Sequence, residues 1–322
     1  MLWGMILRMS DYPRTLLEFQ KLFPDEAACT SHLECIRWPE GFKCPYCGQV
    51  GDPYRIEARP RVLECRQCLR QISLTAGTVM HQTRQPLPIW FWAAYLVTTQ
   101  TPGMSALQFQ KQLGIKRYET AFQMLHKLRA AMVRPGRDRI GAKWPVEVDE
   151  TYVGGDAEGL RGRGAEKKSI VVIAAEEKPD GIGRIRLRRV PNASGKSLRS
   201  FICDVVEPGA TIRTDGWRGY SRLSKSGYTH HVVNVSRSEE MASELLPHVH
   251  RVASLLKRWL LGTHQGVVGQ SHLDYYLDEF TFRFNRRRSR SRGKLFYRLV
   301  QQAVDVDPVS WTDIASSLQN RA

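Results

Sequence analysis

Two cysteine pairs constrain this chain before any other feature does. Cys44 and Cys47, in CPYCG, and Cys65 and Cys68, in CRQCL, each enclose two residues, and the seventeen residues 48–64 lie between the pairs. Two intervening residues let both thiolates of a tight knuckle turn reach one ion, and two such knuckles complete a tetrahedral Zn2+ site. Residues 54–57 and 61–65 can supply the short strands of a zinc ribbon, so Cys44, Cys47, Cys65 and Cys68 are expected to hold structural Zn2+. The seven cysteines make an odd count, and MLWGMILRMSDYPR lacks the apolar length and cleavage site of a secretory signal. Metal binding in a reducing cytoplasm fits this usage better than a disulfide framework. Cys29 and Cys35 have the wrong spacing for a knuckle and Cys203 sits among apolar neighbours, so these three are expected to be structural.

Along its 322 residues the chain changes texture. Residues 1–80 form an N-terminal segment around the ribbon (44–68), residues 86–134 read as helical, residues 144–300 alternate strands with helices, and residues 301–322 form a C-terminal tail. In the helical part, residues 87–99 make one helix, ended by Thr101-Pro102-Gly103. Ser105 caps the next, Leu113-Gly114-Ile115 turns, and a third helix follows over 118–132. Helix, glycine turn, helix is the rhythm of a helix-turn-helix-like DNA-binding segment, with Lys116, Arg117, Lys127 and Arg129 on its second helix. Periodicity alone equally describes any small helical bundle.

Charge points the same way. Lys and Arg number 48 against 32 Asp and Glu, a formal net charge of +16, which calls for a polyanionic partner. Basic runs at 161–168, 184–189, 251–258 and 283–292 spread this charge through folded-looking sequence. No apolar run reaches the roughly 18 residues of a membrane span. The best candidate, residues 88–99, reads as a buried helix, so no membrane partner is expected.

From Trp144 onward the pattern is α/β. Residues 146–153 alternate as a strand, placing Asp149 on one face and leaving the orientations of Glu147 and Glu150 open. Strands over 169–175 and 184–190, a helix over 197–206 and a strand over 211–215 ending in Asp215 follow. This is the order of an RNase H-like fold, in which the first and fourth strands are neighbours. Phosphoryl transfer with two divalent ions needs a shared carboxylate, and Asp149 and Asp215 would supply the shared core. The plainer reading, a solvated turn residue, holds for most Asp-Gly pairs.

The segments VDETYVGG (148–155), TDGWRGY (214–220), HRVASLLKRWLLGTHQGVV (250–268) and HLDYYLDEFTFRFNRR (272–287) resemble the catalytic blocks of bacterial insertion-sequence transposases with an ISXO-type DDE domain. The ribbon and helical segment precede them in the matching order, so the resemblance runs from about residue 20 to about residue 300. It implies two catalytic aspartates, a third ligand on a late helix and a lysine two turns beyond. Asp149 and Asp215 match the first two. Seven residues before Lys257 stands His250, where many members carry Glu and some Asn, with 34 residues (216–249) between Asp215 and His250.

The chain therefore departs from an acidic triad at its third position. An imidazole can ligate a divalent ion, but Mg2+ prefers oxygen, so His250 bears on whether Mg2+ or Mn2+ is used. It could also shuttle a proton, or simply pack; Glu244 is the nearest upstream acid. Lys257 would share a helix face with His250 and contact phosphate, the alternative being a solvated lysine. Arg258 and Trp259 could grip DNA and stack a base, and Arg286 and Arg287 could clamp phosphate, whereas the aromatics of the closing helix belong to a core.

The activity so implied is metal-dependent cleavage at insertion-sequence ends followed by strand transfer into target DNA. The partners would be double-stranded DNA, as terminal inverted repeats and as target, and further copies of the chain in a dimer or higher oligomer. The setting would be a bacterial, nucleoid-associated cytoplasm. The alternative is a zinc-ribbon DNA-binding regulator, or a nuclease, with a degenerate RNase H-like domain.

Overall fold

The computed structural model describes residues 12–100, 102–134, 136–154, 168–233, 242–265 and 270–315. The chain divides into two compact units, residues 1–135 with 288–314 and residues 136–287 with 315–322. The basic run at 161–168 lies, apart from Lys168, outside the described residues, as do positions 155 and 266–268 of the quoted motifs.

The first unit opens with α1 (Leu16–Leu22), capped by Thr15, and α2 (Glu26–Arg37), capped by Asp25, which accepts the Ala28 N–H at 2.9 Å. Neither helix is evident from hydrophobic periodicity, because α2 buries Cys29, Thr30 and His32 beside Leu33, and three of these four do not count as aliphatic. The ribbon is an antiparallel sheet of β1 (Tyr54–Arg55), β2 (Val62–Glu64) and β3 (Gln71–Ser73), the third an addition to the two expected strands. Then α3 (Leu87–Thr99) is buried almost all round, α4 (Ala106–Leu113) is capped by Ser105, and Gly114 turns the chain at φ +62° into α5 (Tyr118–Ala130).

The second unit is a five-stranded mixed sheet. Its strands are β4 (Val146–Val153), β5 (Ser169–Lys178), β6 (Gly181–Val190), β7 (Thr211–Asp215) and β8 (Thr229–Val233), ordered β6-β5-β4-β7-β8. The first three pair antiparallel, whereas β4–β7 and β7–β8 are parallel. The helix α6 (Gly195–Val205) crosses from β6 to β7 and covers one face with Leu198, Phe201 and Ile202. After α7 (Ala242–Leu245), α8 (Pro247–His264) and α9 (Leu273–Asn285) cover the other with Val252, Leu256, Tyr276 and Phe280. This is an RNase H-like arrangement, with the first and fourth strands side by side and a helical layer on each face.

After α9 the chain returns to the first unit as α10 (Gly293–Asp305), with a short α11 (Trp311–Ala315) following, so residues 288–300 group with the N-terminal helices where the sequence suggested the α/β segment. The reason is apolar: Phe296, fully buried, lies 5.3 Å from Phe19, 5.5 Å from Phe23 and 5.9 Å from Phe91 between ring centroids. His32 is built into this cluster, 4.9 Å from Phe23, and its Nε2 finds no partner among the described residues. Burial lowers its pKa from 6.5 to about 4. The neutral ring therefore contributes fully above pH 6.5, and the contribution is lost as pH falls from 6.5 through about 4, on the order of 3 kcal/mol. His32→Phe should melt progressively higher relative to the native chain as pH drops through that window. A melting difference that stays constant with pH refutes this role.

Candidate active site

The register of β4 on β7 builds the site. Val146 pairs with Ile212 and Glu147 with Arg213, the last paired positions, and Asp149 and Asp215 each follow two residues further along their own strand. Val146, Val148 and Ile212 point into the core under α6, so the alternate residues Glu147, Asp149, Arg213 and Asp215 face the α8 side. There Asp149 accepts the N–H of Glu150 at 2.8 Å, and Asp215, at the end of its strand, accepts the N–H of Trp217 at 3.0 Å.

His250, in the first turn of α8, brings Nε2 to 3.8 Å from Asp149 Oδ2. Burial lowers its pKa below 6.5; Glu147 and Asp215 work upward and Lys257 downward, and the net direction is down. At neutral pH the ring is therefore uncharged and keeps a nitrogen lone pair. Lys257, two turns on, has its pKa drawn below the usual lysine value by partial burial and by Lys168, against the pull of Asp149. His250 thus feels Asp215 and Lys257, and Lys257 feels Asp149, although these residues are scattered over more than a hundred positions.

The other acids do not join this group in the same way. Glu150 points to the α6 face, where it accepts the Tyr220 hydroxyl at 2.8 Å. Glu244 is exposed on α7. Glu147, left open by the sequence, is fully buried beneath α8. Glu147, Glu177 and His248 bring one donor atom each within 4.8 Å of the others. A cation is nonetheless poorly served there, because Arg213 already places its guanidinium 3.1 and 3.2 Å from the Glu177 oxygens.

The residues proposed to touch DNA separate into two kinds. Lys116, Arg117 and Arg258 are exposed, the first two immediately before and at the start of α5. Trp259 packs against the core beside Phe280, 5.9 Å between centroids, with a buried Nε1 that has no acceptor among the described residues. Arg286 lies over the Phe282 ring and donates to the Phe282 carbonyl at 3.3 Å. Arg287 lies over Phe284 and donates to the carbonyls of Phe284, Gly183 and Ile182. Arginines at a helix C-terminus satisfy its last carbonyls, and that competes with phosphate for the same donors. Arg129, 1% exposed, likewise donates to the Met104 carbonyl at 3.2 Å and is no surface cation.

In the ribbon all four thiols lie within 4.8 Å of one another, with Cys44 Sγ 3.7 Å from Cys68 Sγ and Cys47 Sγ 3.6 Å from Cys65 Sγ. The knuckles repeat each other: Gly48 N–H donates to the Cys44 carbonyl at 3.0 Å, and Leu69 N–H to that of Cys65 at 2.9 Å. Each turn requires positive φ after its second cysteine, +75° at Gly48 and +55° at Leu69. Four converging sulfurs on paired turns form a Zn2+ site. Of the remaining cysteines only Cys29 is buried; Cys35 and Cys203 are exposed, so for those two a packing role does not hold. Cys203 follows Phe201 and Ile202 on α6 but turns away from the face they bury.

Residues 141–285 match the ISXO2-like transposase domain, and residues 24–71 match the transposase zinc-ribbon domain. A protein from Halobacterium salinarum, described as an uncharacterized protein in transposable element ISH50, is 29% identical over 286 residues, 82% of this chain and 92% of that one. Among solved structures, the catalytic core domain of BIV integrase overlaps 46% of this chain and 87% of that one at 13% identity and a TM-score of 0.31. The pre-cleavage Mos1 transpososome overlaps 68% of this chain and 76% of that one at 11% identity and a TM-score of 0.29. Overlaps of that size establish no shared function.

Proposed function

This chain belongs to the insertion-sequence transposases that join a zinc ribbon to an ISXO2-like catalytic domain, and we propose that Asp149, Asp215 and His250 hold the divalent cations with which it cuts and joins DNA. It is a polynucleotidyl transferase, and the reading of its site as DDE-type rests on one observation. His250, on α8, stands 3.8 Å from Asp149 of β4, and β7, which ends in Asp215, is the parallel neighbour of β4.

The donor set fits Mg2+ or Mn2+: two carboxylates provide hard oxygen and a neutral imidazole provides nitrogen. A divalent cation held by these residues would supply neutralisation of the charge on the scissile phosphate and activation of the attacking oxygen. The chain's own groups do the rest. Asp149 and Asp215 are carried by adjacent parallel strands, which hold both acids on the α8 side of the sheet. Lys257, on the same helix face as His250, meets a phosphate beside the cleaved bond. Lys116, Arg117 and Arg258 hold the duplex by its backbone. Trp259, Arg286 and Arg287, engaged in packing, are withdrawn from that surface.

Water first cleaves a phosphodiester at the element's end, releasing a 3′-hydroxyl and a 5′-phosphate. That hydroxyl then attacks a target phosphodiester, exchanging one ester for another without a covalent enzyme intermediate. The ribbon and residues 86–134 recognise terminal repeats, residues 144–287 carry the chemistry, and two copies or more bring the two ends together. The reaction runs on bacterial cytoplasmic DNA; no helix among the described residues is long and apolar enough to cross a membrane.

The test is joining of labelled element-end duplexes to a plasmid with Mg2+ or Mn2+. Joined product supports the reading, cleavage without joining favours a nuclease, and end binding alone favours a regulator. His250→Glu, which restores an oxygen ligand, should raise the ratio of Mg2+-supported to Mn2+-supported joining severalfold. An unchanged ratio removes His250 from the ligand set.

A further inference from the structure

The helix α8 begins without a side chain of its own to close it. Leu246 at its N-cap has no side-chain acceptor, though its carbonyl takes the His250 N–H, and Pro247 fills the first position, so the N–H groups of His248 and Val249 need acceptors from elsewhere. The sheet supplies them. One carboxylate oxygen of Glu147, 0% exposed, accepts the N–H of His248 at 2.8 Å and of Val249 at 2.9 Å, and the other lies 2.6 Å from His248 Nδ1. A buried carboxylate sits well there, because the first turn of an 18-residue helix concentrates partial positive charge.

The location gives this contact its consequence. Glu147 and Asp149 are two residues apart on one strand face, and His248 and His250 are two residues apart in one helical turn. Three hydrogen bonds join Glu147 to His248 and Val249, and Asp149 and His250 then stand 3.8 Å apart. We propose that Glu147 is a positioning residue, a clamp from the sheet that fixes the first turn of α8 so that His250 stands over Asp149. The inference rests on reading Asp149 and His250 as cation ligands. Without the clamp the first turn frays, and that turn carries the ligand.

A rival role for Glu147 is ligation of a cation with Glu177 and His248. The substitution Glu147→Gln separates the two. Its amide oxygen can accept both backbone N–H groups while its NH2 donates to the other tautomer of His248, so the clamp survives, but a carboxylate ligand does not.

Mn2+ affinity of the zinc-loaded full-length chain, from the electron paramagnetic resonance signal of free Mn2+, tests this, with thermal melting as the check on folding. Glu147→Ala should weaken Mn2+ binding about tenfold or more, and Glu147→Gln should stay within about threefold of the native chain. Native affinity in Glu147→Ala overturns the clamp, and so does a Glu147→Gln as weak as the alanine variant. Should Glu147→Ala not fold, His248→Ala carries the test, since it removes one of three bonds from a half-buried side chain; binding about threefold weaker supports the clamp and unchanged binding overturns it. Asp149→Ala runs in parallel. If it binds Mn2+ like the native chain, the cation site itself is misassigned, which is a different failure from an idle Glu147.

Discussion

Asp149→Ala and Asp215→Ala should each lower strand joining by about a thousandfold or more, because a two-cation site that loses a carboxylate loses charge stabilisation of the transition state. Binding of end duplexes in a gel shift should change by less than about threefold, since recognition is assigned to exposed cations elsewhere. The side chains face the α8 layer at the sheet's rim and carry no large apolar area, so folding should survive their truncation. The asparagine variants sharpen the test: they keep the N–H contacts at Glu150 and Trp217, yet surrender the charge. Joining that persists in either alanine variant rejects the two-aspartate site outright.

The second large effect lies in the ribbon. Cys65→Ser should release the Zn2+ and unfold the ribbon, because the buried residues around it, Phe42, Leu63, Ile72 and Leu74, are too few to sustain a fold without metal. Structural Zn2+ contributes on the order of 10 kcal/mol to such modules. Metal analysis should fall from about one Zn2+ per chain towards zero, with end binding weakened at least tenfold. Cys203→Ser, at an exposed position of α6, should alter neither zinc content nor binding. Full zinc content in Cys65→Ser contradicts the four-thiolate site.

What could be read from sequence followed how local each signal is. The knuckles, the α3 helix, the Ser105 cap and the Gly114 turn depend on residues within a few positions, and the chain places them where spacing says. The adjacency of β4 and β7, the strands that carry Asp149 and Asp215, was legible through the order of strands and helix. Less local features were not. The β5–β6 hairpin runs longer than its apolar centre suggests, and β8, THHVV, is too short and polar to announce itself. Trp259, Arg286 and Arg287 look like a nucleic-acid surface as letters, but a ring's burial or a guanidinium's choice of carbonyl over phosphate depends on what packs across from it. The partnership of Glu147 with α8 spans about a hundred residues, and nothing adjacent to either partner signals it.

The return of α10 to the first unit bears on how the protein is made. A ribosome releases the zinc ribbon and its flanking helices first, yet the cluster of Phe19, Phe23, Phe91 and Tyr95 waits for Phe296, which emerges some two hundred residues later. Polypeptides truncated before that point leave the aromatic cluster open to solvent.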